Sequence, residues 1–142
     1  MKVLSIRNPW GFVIGNGIKD VENRKQRTNY RGKVFIHAPA KWDDRFKEGT
    51  HGFTIPQWFS LPDDIRDVIL SRRLIRSAII GEFEIVDCVY GYSSIWSELE
   101  CFQWVIKNGE LYDEPVKDVR GKLGLWDLPK DIALKLFNQF NK

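Results

Sequence analysis

The stretch Gly17-Ile18-Lys19-Asp20-Val21-Glu22-Asn23-Arg24 concentrates charge between an apolar segment and the most basic part of the chain. Gly15 and Gly17 permit a turn, and the residues after it read as a strand. Side chains alternate along a strand, so Glu22 and Arg24 project to one face and Val21 to the other, the two charges ~7 Å apart along the backbone. Lys19, at the turn, reaches over the same face. A polar ligand there meets one acceptor and two donors. The alternative is an ion-paired surface strand.

The surrounding charge favours a ligand that is a polyanion. The net charge of the 142 residues is only +3, but residues 1–42 carry nine Lys or Arg against two acids, a net of +7, and the remainder carries −4. Between Asn23 and Trp42 there is no acid, while Arg24, Lys25, Arg27, Arg31, Lys33 and Lys41 are cationic. Such asymmetry points to nucleic acid first, with a solvated basic face as the alternative.

Hydrophobic residues at 43% and charged residues at 29% are globular values, and this length fits one domain over 1–142 with a sizeable core. Disordered and fibrous classes are excluded. Six Trp and nine Phe fill the core, line a site, or both. Cys88 and Cys101, with apolar neighbours, read as buried free thiols rather than a disulfide or zinc framework. His37 reads as a strand histidine satisfied by a neighbour, and His37 with His51 does not make a metal site. No metal and no cofactor is expected. No leader peptide or apolar run of membrane-spanning length is visible, so a soluble, cytoplasmic protein is expected.

Periodicity places the remaining elements. Lys2–Ile6 reads as a strand, and Asn8-Pro9-Trp10 as a helix start, with Asn8 as the cap and Pro9 at the first position. Lys33–Ala38 alternates, with Val34, Ile36 and Ala38 on one face and Lys33, Phe35 and His37 on the other. Lys41–Glu48 reads as a short helix, and the aromatic segment through Trp58 and Phe59 as a lid over a site or a plug in the core. Pro62–Leu74 is an amphipathic helix capped by Ser60 with Asp63, and Arg72, Arg73 and Arg76 suit its C-terminal dipole. Ser77–Tyr90 is the longest strand pattern, with Gly81 permitting a bulge or a close approach. Ser97 with Glu100 predicts a capping box opening a helix to about Lys107, closed by Asn108-Gly109. Leu111–Val119 reads as extended, and Leu128-Pro129 opens a final helix. Short strands with interspersed helices and no βαβ rhythm give an α+β class with a small barrel.

These residues converge on a family. Leu4-Ser5-Ile6-Arg7-Asn8-Pro9-Trp10, the Gly17-x-Lys19-x-x-Glu22-x-Arg24 string, Arg31-Gly32 before a strand ending Ile36-His37-Ala38, and Gly121-x-x-Gly124-x-Trp126 with Leu128 together resemble the ASCH domain, of the PUA-like superfamily. The resemblance runs from about Leu4 to Leu128, and residues 40–76 look like a variable insertion. It implies a mixed or antiparallel β-barrel with surrounding helices, a cleft beside the motif strand, and binding of RNA or other nucleic acid. Lys19, Glu22 and Arg24 would line that cleft, with Arg7 and Trp10 at its edge, while Lys25, Arg27, Arg31 and Lys33 supply attraction to a phosphate backbone.

Three functions are expected. The first is recognition of RNA or of a modified or unpaired base. The second is hydrolysis of a modified nucleoside or RNA, with Lys19 and Glu22 as the candidate catalytic residues. Some relatives use a lysine, a threonine nucleophile and a glutamate for this; Lys19 matches the lysine, but Glu22 stands at the threonine position and cannot replace an alcohol nucleophile. The third is a coactivator-like protein-interaction domain.

Overall fold

The apolar alternation of Ala78–Tyr90 forms strand β4, and Phe102–Lys117 forms β5 antiparallel to it. The structure, a computed structural model, describes residues 1–46 and 52–140. Around the long pair are β1 (Lys2–Ser5), α1 (Trp10–Gly15), β2 (Val21–Arg24), β3 (Gly32–Ala38), α2 (Ile55–Ser60), α3 (Asp63–Ser71), β6 (Leu125–Asp127) and α4 (Lys130–Phe140). The strands make one mixed sheet in the order β2-β5-β4-β3-β1-β6, with β1 and β3 parallel and every other pair antiparallel. It curls into a half-barrel with four helices about it, an α+β, PUA-like fold.

The alternation of β3 divides the interior as its pattern predicts. Val34, Ile36 and Ala38 enter the main core with Leu4, Val13, Val21, Phe83 and Ile85. Phe35 points the other way, into a second core that α4 covers with Ile132 and Leu136. His37, on that same face, donates from Nε2 to the Val119 carbonyl at 2.7 Å and accepts at Nδ1 from the Ser5 hydroxyl at 2.9 Å. A carbonyl can only accept, which fixes the tautomer. Gly81 sits where the Glu110 carbonyl passes so close that a Cβ would lie 2.1 Å from its oxygen, the close approach its place in the strand suggested.

The helix expected from Ser97 to about Lys107 does not form: residues 97–101 are loop and turn, and 102–107 are the first part of β5. Phe102, Trp104 and Ile106 share the core-facing side, and Leu99, which such a helix would turn inward with Phe102 and Ile106, is 92% exposed. Both edges decide the outcome, because Val21 and Glu22 of β2 pair with Val105 and Trp104, while Cys88 of β4 pairs with Trp104 from the other side. Tertiary pairing overrides a local capping pattern. Asn108, expected to close a helix, has φ 58° inside the strand, where three steps of β5 face two steps of β4. The left-handed backbone that ends helices also makes a bulge.

Three smaller expectations also change. Asn8 does not cap α1; its side-chain amide donates to the Ile75 carbonyl at 3.1 Å and the residue is fully buried, while Pro9 occupies the cap position. Ser60 does not cap α3, because its hydroxyl donates to the Gln57 carbonyl at 2.6 Å, and Pro62 precedes the helix. The capping box lies one helix earlier, at Thr54 and Gln57 of α2. The short helix expected over Lys41–Glu48 is described as a 3-10 turn at Asp44–Phe46. Residues 41–43 are irregular, and residues 47 and 48 of that expected helix, with His51, lie outside the described residues. Arg72 stacks 3.9 Å from the Trp42 ring centroid and donates to the Phe46 carbonyl, so it holds the 42–46 segment rather than only a helix end. Among the described residues no helix is long and apolar enough to cross a membrane.

Candidate ligand cleft

Val21 is completely buried, and this anchors β2 against the core so that Glu22 and Arg24 turn to the opposite face. That face floors a cleft of about 760 Å³, lined among others by Arg7, Trp10, Lys19, Glu22, Asn23, Arg24 and Lys25. The volume is that of a small-ligand site. Trp96, Ser97 and Glu98 come from the β4–β5 connection, Asp43 and Arg45 from the segment after β3, and Thr54 and Gln57 from the start of α2. The glycine loop before β6 closes the remaining side with Lys122 and Leu123.

The floor is a row of three charges. Lys19 Nζ lies 3.3 Å from Glu22 Oε1, and Arg24 holds Glu22 Oε2 through Nε at 3.1 Å and Nη2 at 2.8 Å. Lys19 and Glu22 are buried, with side chains 5% and 8% exposed. Lys19 also donates to the Val21 carbonyl at 2.7 Å, and Arg24 Nη2 reaches the Ser5 carbonyl at 3.1 Å. Arg24 thus ties edge strand β2 to the end of β1, near the opposite edge of the sheet. Burial pushes the Glu22 carboxyl up, but Lys19 and Arg24 together outweigh it and hold the group below its ordinary value. The ion pairing foreseen for a surface strand therefore exists, but at the bottom of a cleft.

The walls are fixed by residues whose roles depend on distant partners. Asn23 donates to the Trp96 carbonyl at 2.9 Å and accepts from the Glu98 amide at 2.9 Å. Gln103, fully buried, accepts from the Gly91 and Tyr92 amides and donates to the Glu98 carbonyl at 2.9 Å. Together they hold the 96–98 wall against β2. Trp10 is 8% exposed, in edge contact with Phe46, Phe53 and Trp96, and Lys19 Nζ stands 5.5 Å from its ring centroid. Its indole donates to Asp43 at 3.0 Å; burial raises the Asp43 carboxyl, but bonds from Arg45 and Trp10 bring it down to about 2. Arg45 then reaches Glu98 at 3.0 Å, joining two walls. None of Asn23, Gln103, Asp43, Arg45 or Glu98 stands out in the sequence by itself. Asn23 lies within the charged string, and that position is the one signal available.

Across the cleft, Gly121 lets the glycine loop pack against the His37 network, since a Cβ there would meet Ser5 Oγ at 2.5 Å and His37 Cε1 at 2.7 Å. The next residues carry Lys122 and Leu123, the latter 99% exposed. Of the expected phosphate contacts, Lys25 lines the cleft and Arg27 packs 5.4 Å from the Phe102 ring centroid. Arg31 bonds the Thr28 and Tyr30 carbonyls and lies 3.8 Å from Asp87, while Lys33 pairs with Glu82 at 3.1 Å. Neither Arg31 nor Lys33 lines the cleft. Arg7 does, half exposed and 4.0 Å from Asp44. No cluster of three or more potential metal ligands occurs among the described residues.

The ASCH domain pattern matches residues 4–120, which include the end of β1, α1, the charged string, and both long strands. The chain belongs to the ASCH domain family. Its solved relatives include the ASCH protein of Zymomonas mobilis, at 15% identity and a TM-score of 0.55, covering 96% of this chain and 93% of that one. A mutant form of the same protein gives a TM-score of 0.56 at 15% identity, covering 96% of each chain. At this identity the likeness is one of fold. No curated protein matches the chain. In this ASCH domain the matched region supplies the charged floor, while the glycine loop at 121–124 lies just beyond it.

Proposed function

We propose that this ASCH domain binds single-stranded nucleic acid, RNA first, seating an unpaired nucleotide in the cleft. The observation that carries the reading is the composition of the cleft: a floor of buried Lys19 and Glu22 with partly exposed Arg24, within a lining of six cations and three carboxylates. Arg7, Lys25 and Lys122 stand at its rim for phosphates, and Lys25 and Lys122 are in no ion pair among the described residues. Arg27 extends that track beyond the cleft. Arg31 and Lys33 are peripheral contacts whose charge Asp87 and Glu82 offset. Trp10, held edge-on by three aromatic neighbours, shapes the wall instead of swinging out to stack.

Recognition fits this floor better than hydrolysis does. A general base works best with a carboxyl raised toward neutrality, and Glu22 is held low between two cations. Nothing in the cleft favours a protein partner over nucleic acid.

Fluorescence anisotropy of labelled single-stranded RNA against salt concentration tests the reading. The logarithm of affinity should fall linearly with the logarithm of salt, and each of Lys25→Ala and Lys122→Ala should reduce that slope by about 0.7. An absence of binding at low salt, or binding indifferent to salt, overturns it.

A further inference from the structure

The floor of the cleft has an order to its charges. Lys19 stands on the Oε1 side of Glu22 and Arg24 on the Oε2 side, so a ligand meets donor, acceptor, donor in a row. Each member retains hydrogen-bonding capacity. The Lys19 ammonium has three N–H groups, and its bonds to Val21 and Glu22 use two. Arg24 engages Glu22 and Ser5 through Nε and Nη2, leaving Nη1 uncommitted among the described residues. Glu22 Oε1 receives one bond where a carboxylate oxygen accepts two.

We infer that the cleft selects a base with an imide edge, as in uracil or thymine, within the nucleic-acid reading proposed above, on which this inference rests. Such an edge presents carbonyl, N–H, carbonyl: acceptor, donor, acceptor, the complement of the floor. Lys19 and Arg24 donate to the two carbonyls, and Glu22 takes the ring N–H between them. Cytosine presents two acceptors beside a donor, guanine an acceptor beside two donors, and adenine a donor beside a single ring acceptor, so each leaves at least one floor group unmatched. Unmatched buried polar groups are what make such sites discriminate. A phosphate fits the cations but meets the Glu22 carboxylate between them, which places phosphates at the rim rather than the floor. Ile95, half exposed, and Leu123, fully exposed, supply apolar surface from two sides of the same cleft for the faces of a planar ring.

The test compares short single-stranded oligomers of one length and one label by anisotropy at fixed salt: uridine, cytidine, adenosine, and N3-methyluridine, which keeps both carbonyls but loses the central N–H. Uridine is expected to bind about tenfold more tightly than each of the other three. Thymidine should exceed deoxycytidine by a similar factor, because the edge is the same. Glu22→Gln should lower uridine binding to the cytidine level; if that variant does not fold, the N3-methyl comparison on the unaltered protein still decides. Equal affinity for all oligomers, or a thymidine that gains nothing over deoxycytidine, overturns the imide reading while leaving nucleic-acid binding intact. No affinity for any of them overturns both.

Discussion

Glu22 is the residue on which the site depends, because its carboxylate is all that offsets two cations drawn toward the protein interior. Removing one partner of a buried pair leaves uncompensated charge. Glu22→Ala should therefore cost about 3–5 kcal/mol in urea unfolding, whereas Lys25→Ala, at the exposed rim, should cost less than about 0.5 kcal/mol. The acid dependence has one sign throughout. Glu22 is held below its ordinary 4.5 and Asp43 is lowered from 3.8 to about 2, so each contributes stability above its unfolded value and loses it as pH falls through the folded one. His37 is lowered from 6.5, chiefly by burial, with its bond to Val119 opposing; its neutral form favours the fold above 6.5, and that contribution is lost as pH falls toward the depressed value. Thermal unfolding should show stability declining below about pH 6.5 and again below about pH 4.5. A melting temperature constant from pH 7 to 3 would contradict this assignment. Lys19, Glu22 and Arg24 were legible because their spacing is local and strand alternation alone puts two of them on one face. Asp43, Arg45, Glu98 and Gln103 were not, since each acts on a partner that only the folded chain brings near.

At the level of elements, β5 shows why a local signal can mislead. Ser97 and Glu100 have the spacing of a capping box, and Asn108-Gly109 has the chemistry of a helix end, yet the intervening residues alternate well enough to fill a strand. The strand prevails because β2 and β4 pair with it from both sides, a gain that no helix in this place would match. The three-residue pattern of Thr54 and Gln57 was equally readable and is real, because nothing competes for it. Thr54→Ala should cost about 1 kcal/mol, as the loss of a helix cap usually does. It should also weaken RNA binding modestly, since both capping residues line the cleft. Gly81→Ala makes the stronger test of the β4–β5 pairing. The Cβ would press on backbone, which cannot rotate away, so about 2–3 kcal/mol of destabilisation is expected by chemical denaturation. A substitution cheaper than about 0.5 kcal/mol would mean the two strands separate more easily at this point than the pairing implies.

Over the whole molecule, the half-barrel and its two cores arise from patterns visible in the chain, and the cleft arises from topology. Its lining comes from at least five separate segments, from Ser5 to Gly124, and no contiguous fragment contains it. On the proposed function, ligand binding is therefore linked to global folding: RNA at about a hundred times its dissociation constant should add about 2.7 kcal/mol to the unfolding free energy. A melting temperature unmoved by saturating RNA would mean that RNA does not bind the folded state in preference to the unfolded chain, and would contradict the proposed site. The placement of β2 has a consequence for motion. This four-residue strand lies at the edge of the sheet and has β5 as its one ladder partner among the described strands, yet it carries both Glu22 and Arg24. Short edge strands open at low free-energy cost. The amides of Val21–Arg24 should therefore exchange with deuterated solvent faster than those of the central strands, and an occupant gripping the floor should slow them. On the proposed function, β2 is thus also a reporter, whose hydrogen exchange records occupancy.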